Sequence, residues 1–189
     1  MALKPGERRL QILQTLAAML ENPRSEKVTT AALAAKLDVS EAALYRHFAS
    51  KAQMFEGLIE FIETTLFSFI NKIQTETTEG VAQAEQTVVM LLSFAEKNPG
   101  MTRVLIGEAL VHEDERLQAR INQLTDKLEA ALRQSLRIAQ AANGWHGDAQ
   151  ADAAVLIAYV LGRWQLYAKS GFKRTPQDGW ALQRKFLFG

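Results

Sequence analysis

Apolar residues recur along this chain at the three- and four-residue spacing of amphipathic helices. Leu10, Leu13, Leu16, Ala17 and Leu20 give one face to a first helix, which opens with Arg8 and Arg9 and stops at Asn22 and Pro23. The stretch VTTAALAAKLDVSEAALYRHFASK, from Val28 to Lys51, reads as two short helices around a tight turn. Leu33 and Leu37 lie four apart on one helix, Leu44 and Phe48 four apart on the other, and Val39 sits between them, so the faces close over one small core. A helix-turn-helix needs a small residue at the crossing, a turn residue and an apolar lock; Ala34, Asp38 and Leu44 fall at those places. Asp38 stands in for the more usual Gly because Asp tolerates the left-handed region. Thr29 or Thr30 can cap the first of these helices, and Ser40 the second, with Glu41 in its first turn.

After the cap at Ser50, a long helix carries Met54, Phe55, Leu58, Ile59, Ile62, Leu66, Phe69, Ile70 and Ile73 on one stripe. Its early residues can pack on the three-helix head and its later ones elsewhere, which makes 51–74 a linking helix. Phe61 and Phe67 fall off the stripe and are assigned to a wide buried face. TETTEG, Thr75 to Gly80, ends this helix; from Val81 the next is apolar nearly all round between Val88 and Phe94, as a central element is. Asn98, Pro99 and Gly100 stop it, and a short helix is expected over Thr102 to Leu110. From about Glu113 to Ala142, Leu117, Ile121, Leu124, Leu128, Ala131 and Ser135 form a heptad-like seam. Two further helices, Ala151 to Lys169 and roughly Asp178 to Phe188, follow the loop NGWHGDAQ. Ala154, Val155, Ile157, Ala158, Leu161 and Gly162 allow tight helix contact, and Trp164, Tyr167, Trp180 and Phe186 add apolar area. Either these helices complete the monomer's core, or two chains pair them into a four-helix interface and present two heads to successive major-groove faces. The pattern predicts an all-α chain of about nine helices, with a helix-turn-helix head at 1–50 and a helical dimerisation and partner-binding body at 51–189.

Composition narrows the function. The chain is 48% hydrophobic, yet no apolar run approaches the roughly 20 residues that span a bilayer, and MALKPGERRLQIL lacks the apolar stretch of a signal peptide. No membrane contact and a cytoplasmic location are expected. Zero cysteines exclude disulfides and thiol chemistry. The net charge of +1 is uneven: Met1 to Lys51 holds 8 basic against 5 acidic residues, the remainder 14 against 16. The positive share accompanies the head, a modest footprint for nucleic acid. His47, His112 and His146 are scattered, and no HExxH, GxSxG or phosphate-cradling glycine loop is present. Glu113, Asp114 and Glu115 read as a solvated helix start that complements the dipole. No enzyme, cofactor or metal site is expected.

On the second hairpin helix, Ala42, Ala43, Tyr45 and Arg46 turn away from Leu44 and Phe48. Small side chains let the backbone approach a groove floor, and Tyr45 and Arg46 reach the DNA. An ordinary αα-hairpin with solvated Arg and Tyr remains the plain alternative. With Tyr45, Arg46, His47, Phe48, Ser50 and Lys51 in place, followed by a long fourth helix and an all-helical second domain, the chain resembles the TetR family. The runs SEAALYRHFASK, LIEFIE, EKNPG and RLQARINQL are similar to a branch of that family that acts in nucleoid occlusion during bacterial cell division. The similarity extends over nearly the whole chain and is most specific from Val28 to Glu63 and from Phe94 to Arg137.

The resemblance implies a TetR-like fold and a homodimer that binds palindromic double-stranded chromosomal DNA. Bound there, it engages the division protein FtsZ and opposes its assembly over the nucleoid. By the same resemblance, the DNA contacts fall on Thr29, Thr30, Ser40, Ala42, Ala43, Tyr45, Arg46, His47 and Lys51. The FtsZ surface lies along the fourth and fifth helices, where Phe61 and Asn98 match and Met90, Ser93 and Lys97 are related. Phe69 departs from the pattern, standing where relatives carry Arg facing an acidic FtsZ tail. Two other readings compete: a ligand-responsive TetR-type repressor, which needs a cavity with convergent polar groups in the second domain, and a helical adaptor without DNA binding.

Overall fold

The computed structural model describes residues 5–22 and 28–189, and the expected stop at Pro23 lies outside them. Among the described residues there are nine α-helices and no strand: α1 Pro5–Leu20, α2 Thr30–Lys36, α3 Glu41–Tyr45, α4 Lys51–Glu76, α5 Gly80–Lys97, α6 Pro99–Leu105, α7 Glu115–Ala141, α8 Ala149–Lys169 and α9 Trp180–Phe188. A 3₁₀ turn, Glu108–Leu110, separates α6 from α7. The chain gathers into two compact units, residues 1–62 with 98–121 and residues 63–97 with 122–189.

In the first unit, Ile12, Leu13, Leu16, Ala17 and Leu20 of α1 are buried together with Leu33, Ala34, Leu44, Phe48, Met54, Phe55, Leu58 and Ile59. The buried arc of α1 takes in Ile12 and leaves out Leu10, which lies farther round the helix and is exposed; Leu37 and Val39 are half-buried. The turn forms through Asp38, at φ 53°. The Val39 amide donates to the Ala34 carbonyl at 3.0 Å and the Asp38 amide to the Ala35 carbonyl at 3.2 Å, the pair of reversed bonds that ends a helix on a left-handed residue. The helix before Asn98, Pro99 and Gly100 stops as expected, at Lys97. Pro99 sits in the first turn of α6, where its missing amide and fixed φ suit a helix start, so α6 begins three residues earlier than expected. Gly107, at φ 76°, closes it. Gly100 lets α6 touch α1 backbone to backbone: a Cβ there would lie 1.9 Å from the Ala17 carbonyl oxygen. Arg103 completes the contact, donating to the Leu20 and Asn22 carbonyls at 3.0 and 3.3 Å and to Glu108 at 2.8 Å.

In the second unit, Leu66, Ile70, Val88, Leu91, Leu92, Leu124, Leu128, Leu132, Leu136, Leu156, Val160 and Trp164 are buried. The α7 seam runs on through Leu132 and Leu136, while Ala131 is only half-buried. Gly80 opens α5 against α7, where a Cβ would lie 2.3 Å from the Ser135 carbonyl oxygen and 2.4 Å from the Ala139 amide nitrogen. Trp164 Nε1 donates to the Leu91 carbonyl at 3.1 Å and Tyr167 Oη to that of Glu96 at 3.1 Å, so these two aromatics of α8 belong to the monomer's core. The buried arc of α4 shifts along its length, from Leu58 and Ile62 to Leu66 and Ile70. That rotation leaves Phe69 45% exposed, against the expectation that it joins the buried stripe. Phe61 and Phe67 are half-buried.

Candidate nucleic-acid interface

All nine residues assigned to DNA lie in the first unit, and none is buried. Two side chains set the local frame by capping: Thr29 Oγ1 accepts from the Ala32 amide at 3.1 Å, and Ser40 Oγ accepts from the Ala43 amide at 3.2 Å. Thr30 does something else. Its hydroxyl donates to Glu41 Oε2 at 2.5 Å and ties the start of α2 to the start of α3. With Leu44 and Phe48 buried, Ala42, Tyr45 and Arg46 are exposed and Ala43 and His47 half-buried. Small side chains followed by a phenol and a guanidinium give a surface with the shape to sit against a groove floor and the donors to reach base edges or phosphates.

Two ties were not visible from local sequence. Arg9 donates through Nη1 to the His47 carbonyl at 2.5 Å, with its guanidinium 4.2 Å from the centre of the Phe48 ring. It therefore braces α1 on the end of α3. Lys51 Nζ meets Glu113 Oε1 at 2.5 Å, with side chains 22% and 10% exposed. Glu113 is thus not a solvated helix-start residue; Asp114 takes that role. The Arg116 amide and guanidinium both donate to Asp114, and the guanidinium bond, the larger effect, holds its carboxyl at about 2. The 38 and 62 residues that separate these partners leave no periodic signal to find them by.

The residues assigned to FtsZ divide between the units. Phe61 and Asn98 belong to the first, where the Asn98 carbonyl accepts from the amide and hydroxyl of Thr102. Met90, Ser93 and Lys97 belong to the second. There a groove of about 420 Å³ runs between the later part of α4 and α5, walled by Phe69, Ile73, Val89, Met90 and Ser93, with Lys72, Glu76, Glu85 and Gln86 along it. Phe69, the departure from the family pattern, is one of the apolar walls. Lys97 is exposed in the last turn of α5 and does not line the groove. Groups of His, Asp and Glu able to hold a metal ion are absent among the described residues, and no described helix is long and apolar enough to cross a membrane.

A second apolar surface lies on α8 and α9. Val155, Leu166 and Leu182 are exposed, Phe186 is 90% exposed, and a Cβ added at Gly162 would meet nothing within 4 Å. No residue of α9 is buried. Tyr159 holds α9 in place, its ring 6.0 Å from that of Trp180 and tilted 44° to it, its hydroxyl donating to Gln183 Oε1 at 2.5 Å.

Comparison with known proteins agrees in both halves of the chain. Residues 25–58 match the family described as bacterial regulatory proteins, tetR family, and residues 78–189 match the SlmA-like tetracyclin repressor-like C-terminal domain. The chain is 50% identical over 179 residues to the nucleoid occlusion factor SlmA of Alteromonas mediterranea, covering 94% of this chain and 92% of that protein. It is 48% identical over 186 residues to the protein of the same name from Vibrio cholerae, with 95% of each chain covered. Among solved structures, the fatty acid degradation regulator FadR of Bacillus halodurans superposes with a TM-score of 0.80, covering 100% of this chain and 97% of that one at 14% identity. The TetR family regulator PfmR of Thermus thermophilus gives 0.77, covering 94% and 97% at 18% identity. At such identities these two structures speak for the fold alone.

Proposed function

Because this chain belongs to the TetR family of DNA-binding regulators, and within it to the nucleoid occlusion factors SlmA, we propose that it is a homodimeric nucleoid occlusion factor of the cytoplasm. In this reading it sits on palindromic chromosomal sites through α3 and, from there, engages FtsZ and blocks Z-ring assembly over the nucleoid. The observation that carries the DNA half is the outward run of exposed Ala42, Tyr45 and Arg46 with half-buried Ala43, above a buried Leu44 and Phe48. Thr29, Thr30 and Ser40 border it at the helix starts, and His47 and Lys51 follow it.

The partner half rests on the groove between α4 and α5. Phe69, Ile73, Val89 and Met90 offer apolar walls to a short peptide of alternating apolar and acidic residues, the recognition mode in which side-chain pockets set specificity. Ser93 lies in the groove, and Lys97, Asn98 and Phe61 are proposed as further FtsZ contacts on the strength of the family relationship. Against the ligand-responsive repressor, Leu66, Val88, Leu91, Leu92, Leu132, Leu136 and Val160 retain no accessible surface, even toward an internal void. The adaptor reading leaves the outward Tyr45 and Arg46 without a role.

The test is sedimentation of FtsZ polymers with the protein, with and without duplex DNA carrying its site. The expected result is loss of pelleted FtsZ that deepens when the duplex is present, and a weaker loss for Phe61→Ala with DNA binding retained. FtsZ polymers that pellet unchanged in both conditions would remove the partner half and leave a DNA-binding regulator.

A further inference from the structure

We propose that Arg184 is a specificity-determining residue of the α4–α5 groove: by pairing with Glu85, it cancels the charge that would otherwise repel a carboxylate-bearing peptide. The ionisable groups along the groove are Lys72, Glu76 and Glu85. Lys72 and Glu76 lie one turn apart on α4, 3.8 Å from each other and well exposed, and offset one another at the rim. That leaves Glu85 as the uncompensated charge, and it is negative, the wrong sign for an acidic ligand.

Arg184 supplies the compensation from 99 residues away. Its Nε donates to Glu85 Oε1 at 2.7 Å and its Nη2 to Oε2 at 2.6 Å, a two-point contact whose planar geometry lysine does not reproduce. The Glu85 side chain is largely covered, and the pairing raises the Arg184 guanidinium further above its ordinary value. A peptide carboxylate lying against Val89 or Met90 comes within a Debye length, about 8 Å at physiological salt, of Glu85. Bare, that carboxylate lowers the local potential for such a ligand; neutralised, it leaves the apolar walls to act. The helix that carries Arg184 is also the one whose apolar face stands open in the monomer. One helix thereby carries both an open apolar face and the charge that neutralises the groove.

This assignment rests on the proposed groove reading. The test is fluorescence anisotropy of a labelled peptide from the acidic tail of FtsZ, titrated with the dimer, free and saturated with duplex DNA. Wild type, Arg184→Gln, Glu85→Gln and the double variant are compared at low and high salt. Arg184→Gln is expected to weaken binding roughly 3- to 5-fold at low salt, with the loss shrinking as salt rises. Glu85→Gln should tighten binding. The double variant should return to within about twofold of wild type, because the two substitutions act on one charge. Arg184→Gln binding as well as wild type overturns the assignment. So does a double variant as weak as Arg184→Gln, which would mean that the pair only anchors α9. Peptide that fails to bind wild type overturns the groove reading and this assignment with it, an outcome distinct from the other two.

Discussion

Asp38 carries the turn between α2 and α3 in a conformation that costs a side chain about 1–2 kcal/mol, a cost glycine escapes apart from its own greater freedom when unfolded. Asp38→Gly is therefore expected to stabilise the protein by up to about 1 kcal/mol, measured as a higher urea midpoint at unchanged slope. The turn was legible in the sequence because its signal is local: Ala34, Asp38, Ser40 and Leu44 act on neighbours within a few residues. The caps at Thr29, Ser40 and Ser50 were legible for the same reason, and each accepts the amide three residues on. Thr30 was not, since its hydroxyl is spent on Glu41, a side chain 11 residues away. Arg9, Lys51 and Arg184 are harder cases. Each is defined by a partner on another helix, which periodicity cannot name.

At the scale of elements, the sequence pattern located the helices well and their boundaries less well where one residue had two uses. Pro99 serves both neighbours: α5 stops at Lys97, as expected, and Pro99 itself opens α6, where Gly100 meets Ala17 of α1. The stripe on α4 could be read but its rotation could not, because the later half packs on different helices from the first, and that is what moved Phe69 to a groove wall. Gly80 is a sharper example, written as a helix ending and found at a helix–helix contact. Gly80→Ala is expected to cost about 1–3 kcal/mol, since the added methyl meets backbone of α7, which cannot rotate away. Thermal unfolding checks this; a melting temperature equal to wild type would show that α5 and α7 slide apart without cost.

For the molecule as a whole, the last two helices divide between core and surface. Trp164 and Tyr167 complete the monomer's core, as the simpler reading requires, while Val155, Leu166, Leu182 and Phe186 stand open on α8 and α9. Four exposed large hydrophobics on two consecutive helices are the kind of patch that marks an interface. The TetR family membership gives the occupant as a second copy. Leu182→Asp with Phe186→Asp is expected to shift the protein to monomer by light scattering and to weaken binding to a palindromic site at least about tenfold, because one head then binds alone. The compact units do not follow chain order: residues 98–121 gather with 1–62. Chain order could not foresee this, because Gly100 and Arg103 reach back to α1 across some 80 residues.

The claim on which the function depends is that Tyr45 and Arg46 meet a double helix. Its most direct measurement is the equilibrium binding of wild type and Arg46→Ala to duplex DNA across a series of salt concentrations. Wild type is expected to bind with an affinity that falls steeply as salt rises. Arg46→Ala should bind more weakly, with its slope reduced by about 0.9 if the guanidinium meets one phosphate, and remain a folded dimer. Association that ignores salt, or an Arg46→Ala variant that binds as wild type does, would contradict it.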